Sequence, residues 1–371
     1  MKSNVSEPQK TPSPEDGGGA LLETLPRYDR HETYRWNYDH PPAPAEVDVP
    51  PVPGEWTFCG LAVDSPLGIP AGPLLNGAWV LYYASLGFDV LTYKTVRSRA
   101  RECYELPNLQ PVACGDLIGG ESNLPAVDDM PPGKPTSWAV SFGMPSSEPD
   151  TWRRDIEQTK NELPTGKLLS VSVVGTVEPD WSFDQLAADY ARCARWAVES
   201  GADCIETNLS CPNVSTCDGQ IYQDPEQART VVQHVRDAIG DRPLVIKIGH
   251  VPTDDEKAAL VDAVAEYVDA MAMTNSIATT VMGRDGELLF DGAPRGICGA
   301  ATLRASLEQT RGFARIVTER GVAIELVGVG GASTAEHVRN YLDAGASAVH
   351  IATAAMVDPG VGLRIREGFT R

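Results

Sequence analysis

The sequence predicts an α/β fold of the (β/α)8 TIM-barrel class. Three observations lead there: eight short apolar runs ending in Gly, Asn, Lys or Thr, longer amphipathic stretches between them, and a regular alternation of the two from about residue 57. A chain of 371 residues has room for one such barrel with an extension and long insertions.

The extension comes first. Residues 1–20 are rich in Pro, Gly, Ser and charge and too poor in apolar groups to repay the entropy of ordering, so a mobile tail is expected. Residues 28–56 mix aromatic side chains with a proline run, which suggests an extended strap on a domain surface, or alternatively a partner-binding arm. The expected division is therefore 1–56, tail and strap, and 57–371, barrel.

The eight strands are expected at LGIPAG (67–72), DVLTYKTV (89–96), LLSVSVVG (168–175), DCIETNLS (203–210), LVIKIG (244–249), AMAMTNS (270–276), ELVGVGG (325–331) and AVHIATA (348–354). Helices lie between them. In 182–202, Leu186, Tyr190, Ala194 and Ala197 share one face and Gly201 supplies the stop, and the stretches 225–240 and 334–346 also run into glycine. Residues 97–167 and 277–300 break the rhythm after the second and sixth strands. Loops after barrel strands build the active site, so these insertions are expected to form its lid.

Composition narrows the function. Hydrophobic content of 42% and charged content of 22% are those of a soluble globular protein. A formal charge of −20, from 51 acidic and 31 basic residues, argues against general affinity for nucleic acid or anionic membrane. The eight cysteines form none of the CxxC pairs of zinc ribbons or ferredoxin-type clusters, so reduced thiols and no metal site are expected. No apolar run reaches membrane-spanning length and the start does not resemble a signal peptide, so the expected location is cytoplasmic.

The chemistry sits at the strand ends. Ala71-Gly72, Lys94-Thr95, Asn208 with Cys211 and Asn213, Lys247, Asn275-Ser276, Gly330-Gly331 and Ala352-Thr353 all fall on the rim that carries barrel active sites. A lysine at a strand end is commonly just solvated, but two at the ends of strongly apolar strands favour an anionic ligand. Gly330 and Gly331 precede a helix, and on the seventh strand their amides suit a phosphate, although a glycine pair is elsewhere only a tight turn. A dinucleotide fold would need GxGxxG after an early strand, and PAGPLLNG (70–77) lacks that spacing.

NLSCPN, VIKIG, TNSI, GVGG and IATA follow one another in this order, and the series resembles the class 1 dihydroorotate dehydrogenase family of FMN-dependent barrels. The resemblance covers 57–371 and implies an FMN oxidoreductase acting on a cyclic CH–CH bond. It implies that Ala71, Gly72, Lys94, Thr95, Asn208, Lys247, Thr274, Gly299, Gly330, Gly331, Ala352 and Thr353 hold FMN, with Lys247 beside the flavin N1 and C2 carbonyl. Substrate contacts would come from Lys94, Asn208, Asn213, Asn275, Ser276, Ser141, Gly143 and Met144. Cys211 would be the general base rather than an inert buried thiol. A free thiol pKa of roughly 8.5 lets it take a proton without a large shift. A homodimer is implied, with a soluble electron acceptor or a separate redox partner.

Where the family has Asn-Ser-x-Gly-Leu-Pro-Asn, this chain has VSFGMPS (140–146), so Val140 and Ser146 stand where asparagines are expected. The resemblance implies oxidation of dihydroorotate to orotate or of a related dihydropyrimidine-like ring, and the substitution points toward the related ring, because losing one hydrogen bond changes specificity strongly. Trp138 near the rim, with Glu105, Asn108 and Glu121, offers new polar contacts in the insertion. Two rival readings are a non-catalytic flavin-binding barrel and a flavin-free aldolase or isomerase using Lys94 or Lys247 as an amine nucleophile.

Overall fold

The structure is a computed structural model that describes residues 25–129, 135–210 and 220–370. Eight parallel strands close into a barrel: β1 Leu67–Ile69, β2 Val90–Val96, β3 Leu168–Val173, β4 Cys204–Asn208, β5 Leu244–Lys247, β6 Ala270–Met273, β7 Glu325–Val329 and β8 Ala348–His350. Each expected strand is present; β2 ends at Val96 as expected, and the other seven stop short at their C-terminal ends, where the residues turn into the rim. Closure is made by β8 on β1, in the register Val349 with Leu67 and His350 with Gly68.

The strands read as continuous apolar runs because both faces are covered. One alternate set, including Val90, Leu168, Cys204, Val245, Ala270 and Val327, points into the barrel. The other set, including Leu91, Leu169, Ile205, Ile246 and Leu326, packs in the main core, which also contains the buried residues of the surrounding helices. A hairpin, Trp56–Phe58 with Leu61–Val63, covers the end where the strands begin, and Phe58 and Val63 join the inner cluster. Its two turn residues, Cys59 and Gly60, have φ of 48° and 76°, the positive pair that a two-residue hairpin needs.

The repeat helices are α1 Gly77–Ser85, α2 Pro149–Glu162, α3 Phe183–Glu199, α4 Pro225–Ile239, α5 Asp254–Val264, α6 Leu303–Arg320, α7 Ala335–Asp343 and α8 Val361–Thr370. Side-chain caps explain several starts. Ser182 and Gln185 form a capping box on α3, Thr253 and Glu256 another on α5, and Thr334 accepts the His337 amide at α7. The apolar face expected of α3 is buried, and Gly201 follows it with φ of 99°.

The insertion expected at 97–167 is shorter, because 149–162 is α2, the ordinary helix of its repeat. Its stretch PDTWRRDIEQTKNE buries only a narrow stripe, Trp152, Ile156 and Thr159, which hid its periodicity. The remainder meets the second insertion in one antiparallel sheet, ordered Ile277–Thr279, Arg295–Gly299, Ser137–Val140 and Leu109–Pro111. Val281–Met282 also pairs with Leu124–Pro125, so the two insertions form a single lid.

The strap runs without regular structure apart from a short helix, Tyr34–Asp39, started by Thr33. It is held to α1 by the Trp79 indole donating to Asn37 O at 3.0 Å and the Asn76 amide donating to Tyr38 O at 2.8 Å. Tyr28 and Tyr34 stack edge-on against Phe142 of the lid loop. Near the opposite end, fully buried Asp89 accepts from Ser65, from Lys167 at 2.5 Å and from Arg366 of α8, while Arg366 also donates to Gly87 O and Pro50 O.

Candidate active site

At the C-terminal ends of the strands lies a cavity of about 410 Å³. Gly72 after β1, Lys247 at the end of β5, Thr274 and Asn275 after β6, Gly330 and Gly331 after β7, and Ala352 and Thr353 after β8 line it. The lid closes it with Leu109, Val140, Phe142, Cys298 and Gly299. Residues separated by some 280 positions thus face one space, because every strand delivers its last side chains to the same rim.

One end of the cavity is built of backbone. Gly330 and Gly331 have φ of 139° and 69°, and a Cβ on Gly331 would come within 2.7 Å of Leu303 Cβ and 3.0 Å of Gly299 O. Gly299, with φ of 97°, would place a Cβ 2.3 Å from Thr136 O. Only glycine fits these positions, which leaves bare amides and open space in front of α7. Gly72 differs: a Cβ there meets nothing within 4 Å, so its glycine leaves free volume rather than permitting a tight fit.

The floor is charged. Lys247 is 6% exposed, and its Nζ lies 3.9 Å from Glu206 Oε1 on β4, itself 2% exposed. His350 lines the same floor. Burial first, and the Lys247 ammonium next, push its pKa down to about 3, so the imidazole is neutral. Glu206 Oε1, Thr274 Oγ1 and both His350 nitrogens have no hydrogen-bond partner among the described residues. Burial likewise pushes the Cys298 thiol up to about 11 against the pull of Lys247, and its Sγ donates to Asn275 O at 3.4 Å.

Beside the cavity, Lys94 is buried with Nζ 5.9 Å from the centre of the Phe142 ring. Thr95 bonds Ser172 at 3.0 Å. Asn208 reaches Met144 Sδ at 3.5 Å and accepts the Ser210 amide at 3.1 Å, so the end of β4 and the lid loop meet. Ser141 Oγ accepts from Arg295 Nε at 2.9 Å. Gly143 is needed because a Cβ would lie 2.8 Å from the Tyr104 ring. Asn275 donates to Ser210 O at 2.9 Å, whereas Ser276 faces a neighbouring pocket with Ser210 and His250. Ala71 is buried. Cys211 and Asn213 lie outside the described residues.

Two of the polar groups expected to be available in the insertion are already engaged. Asn108 spends its amide on Tyr104 O, Glu105 O and Ser141 O, and Glu121 caps the amides of Ile118 and Gly119. Sequence reasoning passed over Glu206, Phe142 and His350. Period two from Asn208 and from Ala352 was the available signal for the first and last, since alternate residues share the inward face.

The family model described as dihydroorotate dehydrogenase matches residues 135–371. The chain is 32% identical to "Dihydroorotate dehydrogenase" of Dictyostelium discoideum over 83% of this chain and 86% of that protein. It is 26% identical to "Dihydroorotate dehydrogenase (quinone)" of Kineococcus radiotolerans over 92% and 91%. With the NAD(+)-type B catalytic subunit of Staphylococcus carnosus it shares 28% identity over 52% of this chain, spanning 58% of that protein. The crystal structure of DHODH in complex with ferulenol from Eimeria tenella superposes with a TM-score of 0.67 at 18% identity, covering 98% of this chain and 92% of that one, a likeness of fold. The closed barrel, its rim of glycines and buried lysine, and a match running from the lid to the last residue agree on one conclusion: the chain belongs to the dihydroorotate dehydrogenase family.

Proposed function

We propose that the chain is an FMN-dependent dehydrogenase of the class 1 type that oxidises dihydroorotate to orotate. The observation that carries this reading is one ring-sized cavity with a buried ammonium, Lys247, on its floor and the bare glycines Gly330 and Gly331 at its end. That donor set fits FMN: a cation for the pyrimidine edge of the flavin and backbone amides for the phosphate. FMN, when bound, supplies the acceptor for the hydride. Lys247 would hold the pyrimidine edge of the flavin, and Thr274, Gly299, Ala352 and Thr353 would pack around the cofactor. Ala71, Gly72, Lys94, Thr95 and Asn208 line the remaining side.

The chain's own residues handle the substrate. Asn208, Asn213 and Asn275 offer paired donors and acceptors to the amide and carboxylate edges of the ring, because a neutral side-chain amide presents both. Lys94, with the loop Ser141, Gly143 and Met144, completes the pocket. Cys211 removes a proton from one ring carbon as hydride leaves its neighbour, and the two electrons left behind form the new C=C bond. Support for class 1 comes from a cysteine at that position. The electrons then pass to a soluble acceptor or a separate redox partner, and the active form is a cytoplasmic homodimer. Among the described residues, no helix is long and apolar enough to cross a membrane.

A second reading keeps the chemistry and changes the ring. Val140 and Phe142 give the lid side of the cavity an apolar lining, which suits a dihydropyrimidine-like substrate with fewer acceptors on that edge. Anaerobic mixing of the purified protein with dihydroorotate and with dihydrouracil separates the two. Bleaching of flavin absorbance by dihydroorotate is expected. Bleaching only by dihydrouracil selects the second reading, and a colourless protein that takes up no FMN removes both.

A further inference from the structure

Glu206 stands two residues before Asn208 on β4, one layer deeper in the barrel, in register with Ser172 of β3 and Val245 of β5. A carboxylate in that layer is costly unless it is paired. Its Oε1 has no hydrogen bond and lies 3.9 Å from Lys247 Nζ, too far for a hydrogen bond and close enough for strong attraction in a buried site. The ammonium in turn makes no hydrogen bond to the described residues, so its donors remain available toward the cavity. Among the described residues, His350 of β8 and Cys298 of the lid also feel its charge.

We propose that Glu206 is a positioning residue that sets the reduction potential of the bound flavin through Lys247. The inference rests on the FMN reading above. Two-electron reduction concentrates negative charge on the ring edge that Lys247 faces, and a cation there stabilises the reduced form. The carboxylate behind the ammonium offsets part of that field. It limits how strongly the reduced ring is held and keeps the reduced enzyme ready to pass its electrons on. Because His350 is neutral, Glu206 is the counter-charge that the described floor offers to Lys247.

The test is the midpoint potential of bound FMN at pH 7, by equilibration with reference dyes, in wild type, Glu206→Gln and Glu206→Asp. Glu206→Gln removes the charge and keeps the shape, so the reduced form should gain at least tenfold in the redox equilibrium, a positive shift of about 30 mV or more for a two-electron couple. Glu206→Asp withdraws the carboxylate by one methylene and should shift the potential the same way by less. A Gln variant that holds FMN with a potential unchanged within twofold, or shifted negative, overturns the proposal. If the Gln variant does not accumulate folded, the Asp variant decides, and an unchanged potential there overturns it equally. Wild-type protein that binds no FMN would instead remove the functional reading on which the proposal stands.

Discussion

Gly331 and Gly72 both line the cavity, yet their replacement by alanine should fail in opposite ways. At Gly331 the backbone sits at φ of 69°, where an alanine costs about 1–2 kcal/mol in strain. The added Cβ would also stand 2.7 Å from Leu303 Cβ and 3.0 Å from Gly299 O, an overlap with a helix start and a backbone oxygen that cannot rotate away. Overpacking of this kind adds about 1–3 kcal/mol. Gly331→Ala should therefore destabilise the flavin-free protein by about 2–5 kcal/mol, or displace the loop and lose the phosphate cradle. At Gly72 nothing lies within 4 Å, so Gly72→Ala should leave the flavin-free protein within about 0.5 kcal/mol of wild type while the methyl occupies volume that the cofactor needs. Urea unfolding of the apoproteins measures the first quantity, and FMN titration followed by fluorescence quenching measures the second. If Gly331→Ala unfolds with the wild-type midpoint and binds FMN normally, the cradle argument is refuted. Normal FMN binding by Gly72→Ala would show that the flavin does not occupy this side of the cavity.

Three further outcomes are expected. Cys211→Ala should slow flavin bleaching by dihydroorotate about 10²–10⁴-fold with FMN still bound, and unchanged stopped-flow bleaching would refute its role as base. His350 is held near pKa 3 from an ordinary 6.5, so between those values the unfolded chain binds a proton that the folded chain refuses. The stability this group contributes is complete above pH 6.5 and falls as the pH drops toward 3, by about 1.4 kcal/mol per pH unit, and His350→Gln should flatten that slope in denaturant melts. Equal slopes for the two proteins would mean that the imidazole is not buried neutral. Val140→Asn restores an amide to the lid side of the cavity and should lower the KM for dihydroorotate about tenfold; an unchanged KM would place the ring elsewhere.

Much of the barrel was legible because its strands are buried on both faces. Runs such as DVLTYKTV have no competing helical period, and each ends in the small or polar residues that the rim requires. The lid was legible only as two interruptions. Its strands are two to five residues long and pair across about 20 to 160 positions, so no local pattern in LQP, SWAV or RGICG announces them. The hairpin at 56–63 was missed because its strands are only three residues each, and α2 because half of its residues are charged. Within the site, the rim residues were read from strand ends, but Glu206 and His350 sit one layer below. There the alternation of a strand turns a charged or aromatic residue inward, and a pattern of apolar runs has no reason to expect it.

The union of β8 with β1, and of Arg366 with Asp89, also bears on how the protein is made. A chain emerging from the ribosome presents Asp89 and Lys167 long before the guanidinium of α8 exists, and β1 waits for its second neighbour until the last of the eight strands has been synthesised. Until then the barrel is an open sheet with two unpaired edges and an incompletely neutralised cluster near its base. Contacts of such high sequence separation form slowly and leave the partly made chain exposed to aggregation. The last helix is thus the latch on which the first strands depend, and a nascent chain stalled before it would be expected to require chaperone protection that the finished barrel does not.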